Sequence, residues 1–138
     1  MDMSYLKDMP IAVLGGGAVG KTMAADCALA GKEVRIWDQP DFAKRNFLNI
    51  EKTGITLAGH QFSFFGYERK GKAFVSLATD DMAKAVKGAG IIIIATVALA
   101  HEKIFRELIP LLEDGQVIHI LPDNCGTFIF RKLMREMG

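Results

Sequence analysis

The chain has little of what would commit it to a nucleic acid, a membrane or a disulfide scaffold. Seventeen basic side chains stand against sixteen acidic ones in 138 residues, for a formal net charge of +1. With no tract of one sign, neither a nucleic acid nor an acidic membrane surface is an indicated partner. Only two cysteines occur, Cys27 and Cys125. They have no metal-ligand spacing and are expected to be free thiols, so no metal site is assigned. The longest apolar run, Ala89 to Ala100 around Ile91-Ile92-Ile93-Ile94, is far shorter than the roughly 20 residues of a membrane helix. It is expected to be a buried strand with its following loop. Met1 to Pro10 carries Asp2, Lys7 and Asp8 and no apolar region of the export-signal kind. It is expected to be a ragged leader, with the cytoplasm as the default location. There is no internal repeat and no low-complexity segment.

What is present is a chain half hydrophobic and 24% charged, of a length that builds one core. Residues 1–10 are set apart as the leader and 11–138 as one domain. Ile11-Ala12-Val13-Leu14 is a continuous apolar run ending in glycine, as a strand covered on both faces should be. Ala18 to Ala30 reads as a helix whose row Gly20, Ala24, Cys27, Ala28 is small enough to lie close against a sheet. Glu33 to Trp37 is a second strand, and Pro40 with Asp41 opens a helix carrying Ala43, Phe47 and Ile50. Ile55-Thr56-Leu57 and Gln61 to Phe65 suggest a hairpin across Ala58-Gly59-His60. Phe74 to Leu77 reads as a strand, Asp80 as the cap of a short helix with Met82, Ala85 and Val86, and Ile91 to Ala95 as a strand. A helix from about His101 carries Ile104, Phe105, Leu108 and Leu111, with Pro110 shortening its end. Gln116 to Leu121 is the last strand. Thr127 to Met137 is a helix with Phe130, Leu133, Met134 and Met137 on one side, which should pack on the sheet or form a symmetric dimer contact. Strands alternating with helices imply crossover connections and a doubly wound, mostly parallel α/β sheet with a small β-hairpin insertion.

In such a sheet a ligand sits at the carboxyl ends of the strands, beside the first strand. The stretch there, Gly15-Gly16-Gly17-Ala18-Val19-Gly20-Lys21-Thr22, satisfies two phosphate-binding patterns. As a dinucleotide fingerprint it uses Gly15 for a tight turn, Gly17 for close backbone approach to a pyrophosphate and Gly20 for helix-to-strand packing. Ala18 and Val19 open the helix whose amides and dipole hold the phosphates. An acid is then required at the end of the second strand to bond the adenosine ribose, and Asp38 stands 18 residues beyond Gly20. As a nucleoside-triphosphatase loop the same stretch uses Lys21 on phosphate and Thr22 on magnesium, and needs a second acid after a hydrophobic strand. Ile91-Ile92-Ile93-Ile94 leads into Ala95-Thr96-Val97 with no acid, and Asp123 follows its strand only across Pro122. The dinucleotide site is therefore favoured, in a Rossmann domain. Asp38 should accept from a free 2′-hydroxyl and repel a 2′-phosphate, which favours NAD over NADP, while Arg45 on the following helix softens that preference.

From Ile11 onward the chain resembles the amino-terminal cofactor domain of the octopine/nopaline (opine) dehydrogenase family, within the wider group of ketopantoate reductase and glycerol-3-phosphate dehydrogenase. The likeness is carried by "IAVLGGGAVG", "EVRIWDQPDF", "GITLAG", "VSLATDDMAKAVKGAGIIIIATVALAHEKIF" and "LIPLLEDGQVIHILPDNCG". By matching position, the resemblance implies that Val97 and its neighbours pass over the nucleotide and that Asn124 lies towards the nicotinamide. His101 falls where the family has a histidine, and it either faces the site or is a polar residue near the start of a helix. Leu121-Pro122-Asp123 departs from the family's asparagine-proline-glycine loop.

The family continues into a helical domain that binds an amino acid and a 2-oxo acid and handles the proton. That domain is expected to be a missing partner of this chain, which receives no catalytic residue. The implied function is NAD(H) binding in an NAD-dependent oxidoreductase that reduces an imine of an amino acid and a 2-oxo acid. Alternatives are a free-standing nucleotide-sensing regulatory domain, or the cofactor domain of a 2-hydroxy acid or sugar-phosphate dehydrogenase.

Overall fold

Successive apolar residues along β1 (Ile11–Leu14) pack to opposite sides of one sheet, and this alternation organises the molecule. A computed structural model describes residues 2–58 and 69–138. In chain order, β1 is followed by α1 (Ala18–Leu29), β2 (Val34–Trp37), α2 (Pro40–Asn46) and α3 (Ile50–Thr53). Next come β3 (Ile55–Leu57), β4 (Gly71–Ala73), β5 (Leu77–Thr79), α4 (Met82–Val86) and β6 (Ile91–Ile94), then α5 (His101–Leu108), β7 (Val117–Ile120) and α6 (Gly126–Met137). The main sheet has five strands, all parallel, in the order β5-β2-β1-β6-β7. The chain winds outward from β1 to β5 and then returns to β6 on the other side of β1. That reversal opens a crevice between the carboxyl ends of β1 and β6.

Ala12, Leu14, Ile92 and Ile94 meet α4, α5 and α6 through Met82, Phe105, Leu108, Phe130 and Leu133. Ile11, Val13, Ile36 and Ile93 face α1 and α3 through Ala24 and Ile50. The two faces are thus read off one strand by its period of two. Small residues bring α1 onto the sheet, with Gly20, Ala24 and Ala25 buried. No helix among the described residues is long and apolar enough to cross a membrane.

Several expectations need correction. β3 pairs antiparallel with β4, further along the chain than the expected partner at 61–65, which lies outside the described residues. Leu57 and Ala73 bury together against Ala25 of α1, and that packing selects Gly71–Ala73. The strand expected at Phe74 to Leu77 begins at Leu77, because the Ser76 amide and hydroxyl first bond the Val34 carbonyl at 2.8 and 3.0 Å. Asp81, not Asp80, caps α4, its carboxylate accepting from the Lys84 amide at 3.3 Å. The helix expected to run through Ala43, Phe47 and Ile50 is divided into α2 and α3, with Asn49 left-handed between them (φ 57°). Of the expected α6 stripe, Phe130 and Leu133 are buried against the sheet, while Met134 and Met137 stay exposed, so half of it packs as expected. In the segment expected to be ragged, Ser4–Asp8 forms a 3-10 turn, and the Tyr5 hydroxyl donates to the Gly115 carbonyl at 2.8 Å.

Candidate functional site

The loop from Gly15 to Gly17 joins β1 to α1 at the mouth of the crevice, and the fingerprint glycines Gly15, Gly17 and Gly20 meet three different surroundings. Gly15 takes φ +119°, and a Cβ there would strike the Ala95 carbonyl at the end of β6. Gly20 faces the Gly15 carbonyl so closely that any Cβ would collide with it. Both are therefore required by packing. A Cβ on Gly17 would meet nothing within 4 Å, so its backbone lies open to the crevice. Gly17 is also the N-cap of α1 and is extended, with no side chain bonded to the first-turn amides. Ala18, Val19 and Gly20 thus present N–H groups that the helix itself leaves unpaired.

Two clefts flank this loop. The first, about 220 Å³, lies beyond the carboxyl end of β2 and is lined by Gly15, Gly17, Asp38, Phe42, Arg45 and Asn46, with Thr96 and Val97 opposite. The second, about 440 Å³, is lined by Gly17, Ala18, Val19, Thr96, Val97, Leu121, Pro122 and Asn124. Seven of the eight residues expected at the site therefore line one cleft or both, and Gly20 packs beneath them. Neither Lys21 nor Thr22 lines a cleft, and the Thr22 hydroxyl donates back to the Ala18 carbonyl at 2.9 Å.

Asp38 is a buried acid, 8% exposed, whose carboxylate is held by three N–H donors. The Gly16 amide reaches Oδ2 at 3.0 Å, Asn46 Nδ2 reaches the same oxygen at 2.8 Å, and the Gln39 amide reaches Oδ1 at 2.9 Å. Arg45 lines the same cleft with its guanidinium 5.4 Å from the centre of the Phe42 ring. Gly16, Phe42, Asn46 and Thr96 escaped sequence reasoning. A signal existed for two of them: Phe42 and Asn46 are four residues apart on α2, which puts them on one helix face with Arg45 between.

Of the two readings open for His101, the structure bears out the residue at a helix start, since His101 opens α5. It lines neither cleft, is 1% exposed and stacks on Phe105 at 5.1 Å between ring centres. Its Nε2 is 3.3 Å from the Thr96 carbonyl, so it supports the loop after β6 from below. The amphipathic stripe of α5 carries the ring into the core. On the other wall, the Thr127 hydroxyl and amide both donate to Asp123 Oδ1 at 2.7 Å and hold that carboxyl below its ordinary value. Asn124 and Cys125 are left-handed (φ 40° and 66°), turning the chain sharply into α6. Cys27 and Cys125 are free, as expected, and burial pushes the Cys27 thiol up.

Residues 11–124 match the family described as ketopantoate reductase PanE/ApbA. An opine dehydrogenase of Arthrobacter sp. (strain 1C) is 34% identical over 128 residues, which take in 92% of this chain and 33% of the relative. Among solved structures, an octopine dehydrogenase with NADH and L-arginine gives a TM-score of 0.78 at 26% identity, over 91% of this chain and 32% of that one. Glycerol-3-phosphate dehydrogenase of Coxiella burnetii shares the fold, with a TM-score of 0.66 at 19% identity over 92% and 38%. The chain thus spans about a third of the length of these relatives.

Proposed function

The chain belongs to the ketopantoate reductase PanE/ApbA family, and from that premise we propose that it binds NAD across the crevice between β1 and β6. The first-turn amides of α1, from Ala18 to Gly20, hold the pyrophosphate over the bare Cα of Gly17. Asp38 accepts from the adenosine ribose in the smaller cleft. Val97 passes over the dinucleotide between the clefts, and Asn124 stands beside the nicotinamide in the larger one. A 2′-phosphate would bring negative charge against the Asp38 carboxylate, so NAD is preferred to NADP.

The observation that carries this reading is the open backbone of Gly17 at the junction of two clefts, with a buried acid at the end of one. The NADH held by the octopine dehydrogenase similar to this chain supports the same cofactor. When bound, the dihydronicotinamide supplies a hydride to the imine carbon of a condensed amino acid and 2-oxo acid, the opine-type reaction to which the 34% identity points. The chain's own residues bind and orient; none is assigned the accompanying proton. Calorimetric titration with NADH should give saturable heat below concentrations on the order of millimolar. Absence of heat at that concentration refutes the reading.

A further inference from the structure

We propose that Asn46 determines the preference for an unphosphorylated ribose, by clamping Asp38 and by supplying the second acceptor for the sugar's two hydroxyls. The inference rests on the NAD reading above. A carboxylate offers about four lone-pair sites. On Asp38 three are taken, two on Oδ2 by Gly16 N–H and Asn46 Nδ2–H and one on Oδ1 by Gln39 N–H. A single site remains, on Oδ1. An adenosine ribose with free 2′- and 3′-hydroxyls brings two donors, so Asp38 alone cannot satisfy both.

The cleft contains two side-chain amides that could supply the missing acceptor. Gln39 Oε1 already accepts from Lys103 Nζ at 2.8 Å, which takes one of its two lone pairs, whereas Asn46 Oδ1 keeps both. Asn46 must turn its NH2 group to Asp38, because a carboxylate only accepts, and this leaves Asn46 Oδ1 free. No described residue donates to that oxygen, and Asn46 lines the cleft together with Asp38. The unclaimed carbonyl of Asn46 and the unclaimed lone pair of Asp38 therefore form a pair of acceptors matched to a diol. A 2′-phosphate replaces one donor with further acceptors and finds no donor in this pair. Arg45 is the cation among the residues lining this cleft, and its guanidinium is placed over Phe42.

The test compares binding of NADH, NADPH and 2′-deoxy-NADH to the full chain and to Asn46→Leu, which has nearly the same shape and no polar atoms. Wild type should bind NADH more tightly than either analogue. Asn46→Leu should lose about tenfold in affinity for NADH, the weight of one hydrogen bond to a charged or polar partner, and less than about twofold for NADPH. NADH and 2′-deoxy-NADH should then bind the variant nearly alike. Should Asn46→Leu fail to fold, Asn46→Met, which also fills the space beside Asp38 Oδ2 and has no amide, carries the same expectation. Equal losses for all three ligands, or an unchanged NADH to NADPH ratio, would overturn the assignment. A wild-type chain that binds none of them removes the NAD reading itself, and with it this inference; binding with an unchanged ratio removes only the inference.

Discussion

The two flanks of the glycine loop are built by opposite means. On the β2 side, hydrogen bonds order the wall before any ligand arrives: Asp38 ties the loop to α2 through Gly16 and Asn46, and it is buried while doing so. On the β6–β7 side the wall is Val19, Ala95, Val97, Leu121 and Pro122, with Asn124 at its edge. There the Thr96 hydroxyl oxygen is buried without a partner among the described residues, a state that costs free energy until something bonds it. One flank is preorganised by hydrogen bonds and suits an anchor. The other is apolar and roomy, which suits a reacting ring that must be kept from water.

The sharpest way to break this contrast is to remove the hinge common to both flanks. Gly20→Val sets a side chain against the Gly15 carbonyl, and both clefts should fail together. A destabilisation of about 3 kcal/mol is expected, seen as a lowered denaturation midpoint. Asp38→Leu strikes the preorganised flank alone. It leaves the Gly16 and Gln39 amides and Asn46 without their acceptor, at a cost of roughly 2 kcal/mol in denaturant titration. Should that variant be as stable as wild type, the flank is not held as described. Gly17→Ala separates binding from folding. Its backbone is extended and its Cβ would meet nothing, so stability should stay within about 0.5 kcal/mol while NADH affinity falls. An unaffected Kd would show that no phosphate approaches this point.

The smallest effect belongs to the second flank. The Thr127 hydroxyl, and then its amide, lower the Asp123 pKa. A depressed pKa in the folded state means that the contribution is fully present above the ordinary carboxylate range and is lost as pH falls through the lowered value. Asp123→Asn should therefore be slightly less stable than wild type at neutral pH, and the two should converge in acid. A difference that persists at low pH would point to packing instead of charge.

Most of the doubly wound sheet was legible because its signals are local. The run Ile11 to Leu14 ends in glycine, α1 carries a small-residue row, and Asp38 closes a strand at the spacing a ribose contact needs. Errors gathered where chain packing competes with local pattern. Phe74 to Ser76 has strand composition, yet pairing with β2 starts only at Leu77, in parallel register with Arg35. Asn49 breaks a helical stripe that continues through Ile50 because the left-handed turn lets Ile50 reach the core. For His101 two readings stayed open by position, and the stripe of α5 decided between them by turning the ring inward.

Sequence alone determined which backbone lies at the crevice and which acid stands near it, because periodicity, glycine and strand ends act over a few residues and leave a readable pattern. Only the tertiary structure decided which atoms meet there. Gly16, Asp38 and Asn46 belong to three elements, and the directions of their hydrogen bonds follow from how α2 settles on the strand ends. That docking is a long-range packing result, and no local spacing encodes it.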